Sequence, residues 1–545
     1  MPSTRAAGPL FAAFLAFLAI AVTSPAARAD DAAYARLVAL FEEWRAFERP
    51  SIRDGAPDYS DSAMRAKAKG LKSLQRRLAE INIKEWPIDR QIDHHIVRAE
   101  MNGMDFNIRI LKPWSRDPAF YQQVWTYESD TPAHEGPVNH ALIELWSYAF
   151  PLAPADAEKL AAELRTVRPF LAQARSNLDG DARDLWVAGI DTIEDQAQDL
   201  AALKARVSEP AVLAALDDAI AATDEFALWL KAEAPKKTGP SGIGKDAYNW
   251  HLKHVRLVPY TFDDEVMLLK RELHRAHASL KLEAHRNRGL PEIPAAATAE
   301  EYERRAVASV RKYMRFLEEG EVIDIEPYME PALMEKIGSF SPEEERNFFA
   351  MATHREAMTL WTHFYHWWDL ARIKTNPHPS PIRKGPLLYN IFDSRAEGMA
   401  TAMEEMMLHA GLFDDNPRAR EIVWIMQAQR AARGLASLRV HAREFTMKDA
   451  RDFHVAWTPR GWMREDLDLL GFEQQLYLRQ PGYGTSYVVG KHQIEQLLGE
   501  RARQAGDDYG LKEFFREVDA EGVIPVSLIR WRLTGEADEI TKMSE

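Results

Sequence analysis

Apolar and charged positions recur at intervals of three and four residues along most of the chain. This helical spacing runs from Ala33 to about Glu233, in segments such as YARLVALFEEWRAF, with few strand signals. Residues 263 to 320 continue it as long charged helices. The pattern predicts a mainly α fold, a large multi-helix array around a deep cleft with few short strands.

A break in composition divides the helical pattern into two parts. Residues 234–242 read APKKTGPSG, and their Pro, Gly and Ser content is typical of a linker. We therefore predict an N-terminal helical subdomain over residues 30–233 and a C-terminal helical subdomain over residues 243–545. The candidate active site lies in the second.

The first residues have the organisation of a secretory signal peptide. Arg5 supplies a positive charge, Leu10 to Val22 is apolar, and Ala27-Arg28-Ala29 is a small-x-small cleavage site. The apolar run is short for a membrane span, so we expect cleavage after residue 29, no stable membrane insertion and a periplasmic or secreted protein. A retained N-terminal anchor is the alternative.

Charge and cysteine content exclude several classes of function. The 545 residues carry a net charge of -14, and acidity of this size argues against nucleic acid as the main partner. The sequence contains no cysteine, which excludes disulfides, thiolate catalysis and thiolate metal sites. Neither a nucleotide-binding glycine motif nor the GxSxG motif of serine hydrolases is present.

The candidate functional centre is the stretch from His354 to Glu405. Its first half, HREAMTLWTHFYHWW, has helical length without Gly or Pro, and places Glu356 among aromatic residues, where a buried carboxylate is costly. On an ideal helix Glu356 and His363 share one face, but their spacing differs from the HExxH of zinc peptidases.

Three later segments carry further candidate groups. The box EGMATAMEE is followed by His409, four residues after Glu405, so that this pair could share a cation or form an ordinary surface pair. The helix that runs through RAARGLASLRVHAREFT carries His441. In LRQPGYGTSYVVG, glycines beside Tyr483 and Tyr487 allow close approach of a ligand to the backbone, and a tight turn packed by tyrosines is the alternative.

Together these segments resemble a bacterial family, the domain of unknown function 885. The resemblance also covers IDHHIVRAEMNGMDF, KPWSRDPAFY and IGKDAYNW, and thus most of the mature chain. The family is largely helical, often exported, and described as similar to zinc peptidases through an HExxPGH motif and an EGWxxYxE box. The resemblance therefore implies a helical fold and a zinc-dependent hydrolase.

The chain departs from the family pattern at its metal-binding motif. The family's HE, Pro-Gly and following His become Arg355-Glu356, Thr359-Leu360 and Trp361, and the Asp of its RLVVDTGIH motif becomes Ser437. The family positions that are kept are Glu356, Glu404, His441, Arg479 and Tyr487. Two expected metal-binding histidines are thus replaced.

This pattern predicts a metal-independent acid/base lyase that acts on an aromatic small molecule, for example with formaldehyde loss from a lignin-type dimer. No cofactor is expected. The predicted catalytic residues are Glu356, His441, Tyr487 and Glu404. The predicted substrate-binding residues are Arg355, Trp361, His363, Arg479 and Tyr483.

Two other functions stay open. A zinc-peptidase-like hydrolase of peptides or amides would need an atypical metal site, built from His363, Glu404, His409 and His441. An inactive homologue would use the cleft only to bind a ligand.

Overall fold

The fold is mainly α, as predicted. The computed structural model describes residues 25–129, 139–389 and 393–544, and the first 24 residues of the predicted signal peptide lie outside this part. In the first half of the chain the helices are α1 Pro25–Glu48, α2 Asp61–Ala79, α3 Ile88–Phe106, α4 Pro113–Arg116, α5 Pro154–Leu164, α6 Val167–Asn177, α7 Arg183–Lys204 and α8 Pro210–Glu233.

The remaining helices follow residues 234–242. They are α9 Lys245–His251, α10 Phe262–Arg286, α11 Ala299–Glu319, α12 Met329–Met334, α13 Phe348–Glu356, α14 Met358–Trp361, α15 Tyr365–Thr375, α16 Asp393–His409, α17 Pro417–His441, α18 Met447–Trp457, α19 Asp468–Arg479, α20 Tyr483–Ala505, α21 Leu511–Ala520, α22 Val526–Thr534 and α23 Asp538–Ser544. Within the described residues, no helix is both long and apolar enough to cross a membrane.

Strands are short, also as predicted. An antiparallel pair joins β1 Ile52–Arg53 to β2 Ala56–Pro57. A parallel pair joins β3 Val124–Trp125 to β4 Ile143–Glu144.

Local sequence signals explain where several helices begin and which face they bury. Thr261 and Asp264 form a capping box at the start of α10, in which each side chain accepts a hydrogen bond from the other residue's backbone N–H. Along α11 the buried side chains Tyr302, Ala306, Val310, Tyr313 and Leu317 follow the spacing of three and four that forms one apolar stripe.

The apolar residues form two main cores. The smaller includes the inner faces of α5 to α8. The larger runs from Leu37 of α1 to Met543 of α23, so α1 and α3 share a core with the C-terminal helices.

The segment at residues 234–242 is bound to its surroundings. Asp181 Oδ1 accepts hydrogen bonds from the N–H groups of Thr238 and Gly239, at 2.6 and 2.7 Å. The buried Ser241 hydroxyl accepts another from Leu185 N–H. The division of the chain into two subdomains here stays a prediction.

Helices α16, α17 and α20 lie together in the larger core. The backbones of α16 and α20 meet at Gly398 and Gly490, where a Cβ added to Gly398 would lie 2.5 Å from Gly490 Cα. Since no side chain fits there, these two glycines set how closely α16 approaches α20. The helices that carry the candidate site are therefore in backbone contact.

Candidate functional site

Two histidines and one glutamate converge in the larger core. His363 lies in the 3-10 turn Thr362–Phe364, His366 in the first turn of α15, and Glu397 in α16. All three are buried, and one ligand atom from each lies within 4.8 Å of the others. Two imidazoles and a carboxylate are the donor set of many catalytic zinc and non-haem iron sites.

The break between α14 and α15 brings the two imidazoles to the same place. His363 and His366 are three residues apart across the junction of the 3-10 turn with α15, and this spacing places two side chains on the same side of a helix. Their ring centroids are 5.3 Å apart with the planes nearly perpendicular. Both rings can therefore direct a nitrogen at one ion.

His363 lies between two carboxylates of α16. Its Nε2 is 3.3 Å from Glu397 Oε2, and its Nδ1 is 3.0 Å from Glu404 Oε1. These distances are short, but the angles are poor: Glu397 Oε2 is buried and makes no well-aligned hydrogen bond with any described residue. A cation held by His363 Nε2, His366 and Glu397 would satisfy that oxygen, so the donor set fits a metal ion.

Glu404 is fixed behind His363 by two partners from α17. Arg430 forms an ion pair with Glu404 Oε1, and Gln427 Nε2 donates a 2.9 Å hydrogen bond to its Oε2. Burial would raise the pKa of Glu404, but the charge of Arg430 and the contact with His363 lower it overall. Glu404 is thus an ionised carboxylate that orients the imidazole, the usual partner of a metal-binding histidine.

Glu397 is also held as a carboxylate. Tyr483 donates a 2.6 Å hydrogen bond to Glu397 Oε1, the oxygen that does not face His363. Burial would raise the pKa of Glu397, but the contact with His363, the nearby His366 and the hydrogen bond from Tyr483 lower it to about 2. Its other oxygen, Oε2, faces His363 and could serve as a ligand.

An aromatic and cationic surface borders the cluster. The ring of Tyr487 is parallel to the His363 ring, with centroids 6.0 Å apart and planes 9° from parallel. The Arg433 guanidinium lies 4.0 Å from the Tyr487 ring centroid, and the Arg430 guanidinium lies 5.4 Å from it. Arg433 pairs in turn with Glu473, at 2.5 Å. These side chains are buried, and each guanidinium is paired with a carboxylate, so they form an ordered polar and aromatic wall beside His363.

The continuous helix predicted from His354 to Trp368 is wrong. Helix α13 ends at Glu356, α14 is a single turn, and a 3-10 turn separates it from α15. Glu356 therefore does not share the environment of His363: Glu356 Oε2 accepts a 2.8 Å hydrogen bond from Asn416. Burial raises the pKa of Glu356, but its partners differ from those of the histidine cluster.

Arg355 and Trp361 occupy other surroundings too. Arg355 Nη1 donates a 2.8 Å hydrogen bond to Met351 O, and the guanidinium lies 5.2 Å from the Trp462 ring centroid. The Trp361 indole is buried and donates to Ala306 O in α11. The substrate-binding roles of Arg355 and Trp361 stay predictions.

Of the other predicted residues, some lie in the histidine cluster and others lie elsewhere. His441 is fully buried, its Nε2 lies 3.0 Å from Tyr477 O, and burial lowers its pKa to about 4. The His409 side chain is 63% exposed, beside Glu405. Arg479 Nε donates a 2.7 Å hydrogen bond to Asp117. Of the predicted residues, the cluster brings together His363, Glu404, Tyr483 and Tyr487.

Sequence reasoning gave no role to His366, Glu397, Arg430, Arg433 and Glu473. One signal was available: Glu397 and Glu404 lie seven residues apart in EGMATAMEE, a spacing that places both on one helix face. The arginines gave no comparable signal, because their partners come from α16 and α19.

Comparison with known proteins identifies the family. The sequence profile described as "Bacterial protein of unknown function (DUF885)" matches residues 45–338 and 341–533. The chain belongs to this family. A comparison of this DUF885 protein with curated proteins found no match.

Two solved structures resemble this DUF885 chain over most of its length. One, described as a "putative lipoprotein of unknown function" from Shewanella oneidensis, has a TM-score of 0.65 at 16% identity and covers 91% of this chain and 98% of its own. The other, the "putative lipoprotein from Colwellia psychrerythraea", has a TM-score of 0.62 at 12% identity and covers 93% and 99%. At these identities the likeness establishes the fold.

Proposed function

We propose that this DUF885 protein is a metal-dependent hydrolase of amide or ester bonds, with a cation held by His363, His366 and Glu397. The observation that carries the proposal is the convergence of these three buried donors, with Glu404 on the far nitrogen of His363. A metal-independent lyase based on Glu356 and Arg355 has less support, because those side chains contact other parts of the structure.

A bound divalent cation would supply Lewis-acid polarisation of a carbonyl group and an acidified water. The surrounding residues then have definite roles. Glu404, whose Oε1 lies 3.0 Å from His363 Nδ1, would orient that imidazole so that its Nε2 faces Glu397. Tyr483 fixes one oxygen of Glu397, which leaves the other to face the histidines.

The Tyr487 hydroxyl and the Arg433 guanidinium suit a substrate oxygen that gains negative charge. Arg430 and Arg433 lie against the Tyr487 ring and are held there by Glu404 and Glu473, so any stabilisation of an oxyanion would come from oriented donors and not from an excess of positive charge. Stabilisation of this kind is stronger in the transition state than in the ground state. A substrate with a polarisable carbonyl, such as a peptide, amide or ester, fits this arrangement.

Metal analysis tests the proposal. Purified wild-type protein and the variant His409→Ala, which removes an exposed histidine outside the cluster, should each contain about one equivalent of metal. His366→Ala should contain far less. Hydrolysis of a peptide, amide and ester panel should cease after chelation and return with added metal. Full activity in chelated protein would contradict the proposal.

A second candidate is the proton-transfer lyase of an aromatic substrate, with His363 as the base in place of Glu356 or His441 and with the predicted Glu404 and Tyr487 retained. The pairing of Glu404 with His363 Nδ1, and the Tyr487 ring parallel to His363, form a carboxylate, imidazole and phenol series. His363 Nε2 would take a hydroxyl proton, the adjacent carbon-carbon bond would break to release formaldehyde, and Tyr487 would protonate the remaining carbon. Formaldehyde release by chelated protein, absent in His363→Gln, would favour this candidate.

We also propose that the protein is exported. The signal-like first 29 residues support this, and both structural neighbours carry the description "putative lipoprotein". The sequence has no cysteine that could carry a lipid, so a soluble periplasmic form is proposed. Fractionation of cells that express the full chain tests the location.

A further inference from the structure

A second set of buried charges lies beside the histidine cluster. Arg395, two residues before Glu397 on α16, is fully buried and contacts carboxylates from two other helices. Its Nη1 is 3.0 Å from Asp369 Oδ2 on α15, and its Nη2 is 3.1 Å from Asp519 Oδ1 on α21. One guanidinium thus joins three helices.

Two further side chains complete what we call the Arg395 cluster, made of Arg395, Asp369, Asp519, Arg372 and Tyr365. Arg372 donates 2.7 Å hydrogen bonds to both Asp369 and Asp519. The Tyr365 hydroxyl donates a 2.6 Å hydrogen bond to Asp519. Two guanidinium groups and two carboxylates balance in charge, and the planar fork of each arginine bridges both acids.

Several members of the Arg395 cluster are neighbours in sequence of two of the proposed metal-binding residues, His366 and Glu397. Tyr365 precedes His366, Asp369 follows it by three residues, and Arg395 precedes Glu397 by two. The cluster therefore joins α15 to α16 next to the point where their side chains must converge. A site of this kind needs its groups placed to within about 0.5 Å.

Stability alone is a weak reason for such a cluster. Removing charges from water costs free energy that a buried ion pair often fails to recover, and apolar residues of similar volume can serve as well. What fixed charges provide is a single register between the helices, because a shifted arrangement would leave a charge without its partner.

We propose that Arg395, Asp369 and Asp519 are positioning residues that set the separation of His366 from Glu397. The inference rests on the proposed function only in naming a metal ion as the ligand of His366 and Glu397. The separation itself is a property of the protein, and it can be measured with or without a ligand.

The test compares two conservative substitutions of buried arginines. Arg395→Lys keeps the positive charge, but one ammonium group cannot bridge Asp369 and Asp519 as the guanidinium fork does. Arg383→Lys is the matched control: the Arg383 side chain is 2% exposed and pairs with Asp93 at 2.7 Å and Glu521 at 3.3 Å, outside the histidine cluster. For each protein, crystal structures, the Co²⁺ dissociation constant and visible spectrum, and the thermal midpoint of the metal-free form are measured.

We expect both variants to lose thermal stability to a similar degree. Only Arg395→Lys should move His366 relative to Glu397 by more than about 0.5 Å. Only that variant should weaken Co²⁺ binding, by about 10- to 100-fold, and change the Co²⁺ spectrum. If Arg395→Lys does not fold, Asp519→Asn at the partly exposed edge of the cluster takes its place, with the same expected changes.

The outcomes separate the two proposals. An unchanged separation of His366 from Glu397 in the variant overturns the positioning role, whether or not metal binds. If wild-type protein binds no metal but the separation changes in Arg395→Lys, the positioning role stands and the metal-dependent function is overturned. Equal shifts in Arg395→Lys and Arg383→Lys would mean general loosening of the core, and would also overturn the positioning role.

Discussion

Helices α8 and α16 differ in what they bury. In α8, nine of the 24 residues are buried, eight of them apolar, and charged residues such as Lys231 pair with neighbours at the surface. In α16, fifteen of the 17 residues are buried, including Arg395, Glu397, Glu404 and Glu405. A buried charge without a partner is costly, so each charge in α16 requires a matching group on another helix. Helix α8 serves as scaffold, whereas α16 carries an electrostatic network.

The largest effect is expected at the proposed metal ligands. Glu397→Gln should reduce metal affinity and any metal-dependent activity by at least about 100-fold, because a neutral amide replaces the anionic ligand. Glu356→Gln is the matched control, since its hydrogen bond partner is Asn416. Metal content and turnover of both variants check this. Equal losses of metal and turnover in the two variants would contradict the assignment of Glu397, and not Glu356, as the ligand.

The next effect concerns a charge that α17 supplies to α16. Arg430→Met should destabilise the fold by about 3–5 kcal/mol, because Glu404 would keep a buried charge without its arginine. Urea unfolding of the metal-free protein measures the free energy of unfolding. A loss below about 1 kcal/mol would mean that Glu404 takes up a proton or another partner without penalty.

A smaller, pH-dependent effect is expected at Glu265, a fully buried carboxyl of α10 that contacts the Tyr248 hydroxyl at 3.0 Å. Burial raises its pKa from 4.5 to about 8. The folded protein thus keeps a proton that the unfolded chain releases, and this stabilisation is complete below about pH 4.5 and is lost as the pH rises towards 8.

Glu265→Gln removes this titration. The variant should therefore gain stability relative to wild type as the pH rises, by about 3–4 kcal/mol between about pH 5 and about pH 8. Urea unfolding at both pH values measures the difference. A constant difference across that range would show that Glu265 is ionised in the folded state.

The smallest effect is expected at the surface of α8. Lys231→Met removes an ion pair with Glu194 whose side chains are about half exposed, and should change the free energy of unfolding by less than about 1 kcal/mol. Urea unfolding beside Arg430→Met checks this. Similar losses of unfolding free energy in Lys231→Met and Arg430→Met would contradict the distinction between α8 as a scaffold and α16 as the carrier of an electrostatic network.

The fold was predictable from sequence because helical spacing reports which face of a helix is buried. This worked for α11, whose stripe is apolar, and for α8. It could not find the ends of α13 to α15, because residues 354 to 368 contain neither Gly nor Pro. Tertiary contacts, such as Asn416 with Glu356, decide the conformation there.

The site was predictable only in part. His363, Glu404, Tyr483 and Tyr487 could be found because they lie in recognisable segments. Their roles could not be predicted, because each role depends on contacts with residues that are distant in the sequence. The resemblance to zinc peptidases directed attention to residues 355 to 361, whereas the donors that converge come from 363, 366 and 397.

The contact of Gly398 with Gly490 limits how the site could change. Because Gly398 follows Glu397, any side chain at this point would push α16 from α20 and carry the carboxylate away from Tyr483. A homologue with larger residues at both positions would have to rebuild its ligand geometry. Substitutions of Gly398 in cells would thus indicate genetically whether the function of the protein depends on the proposed metal site.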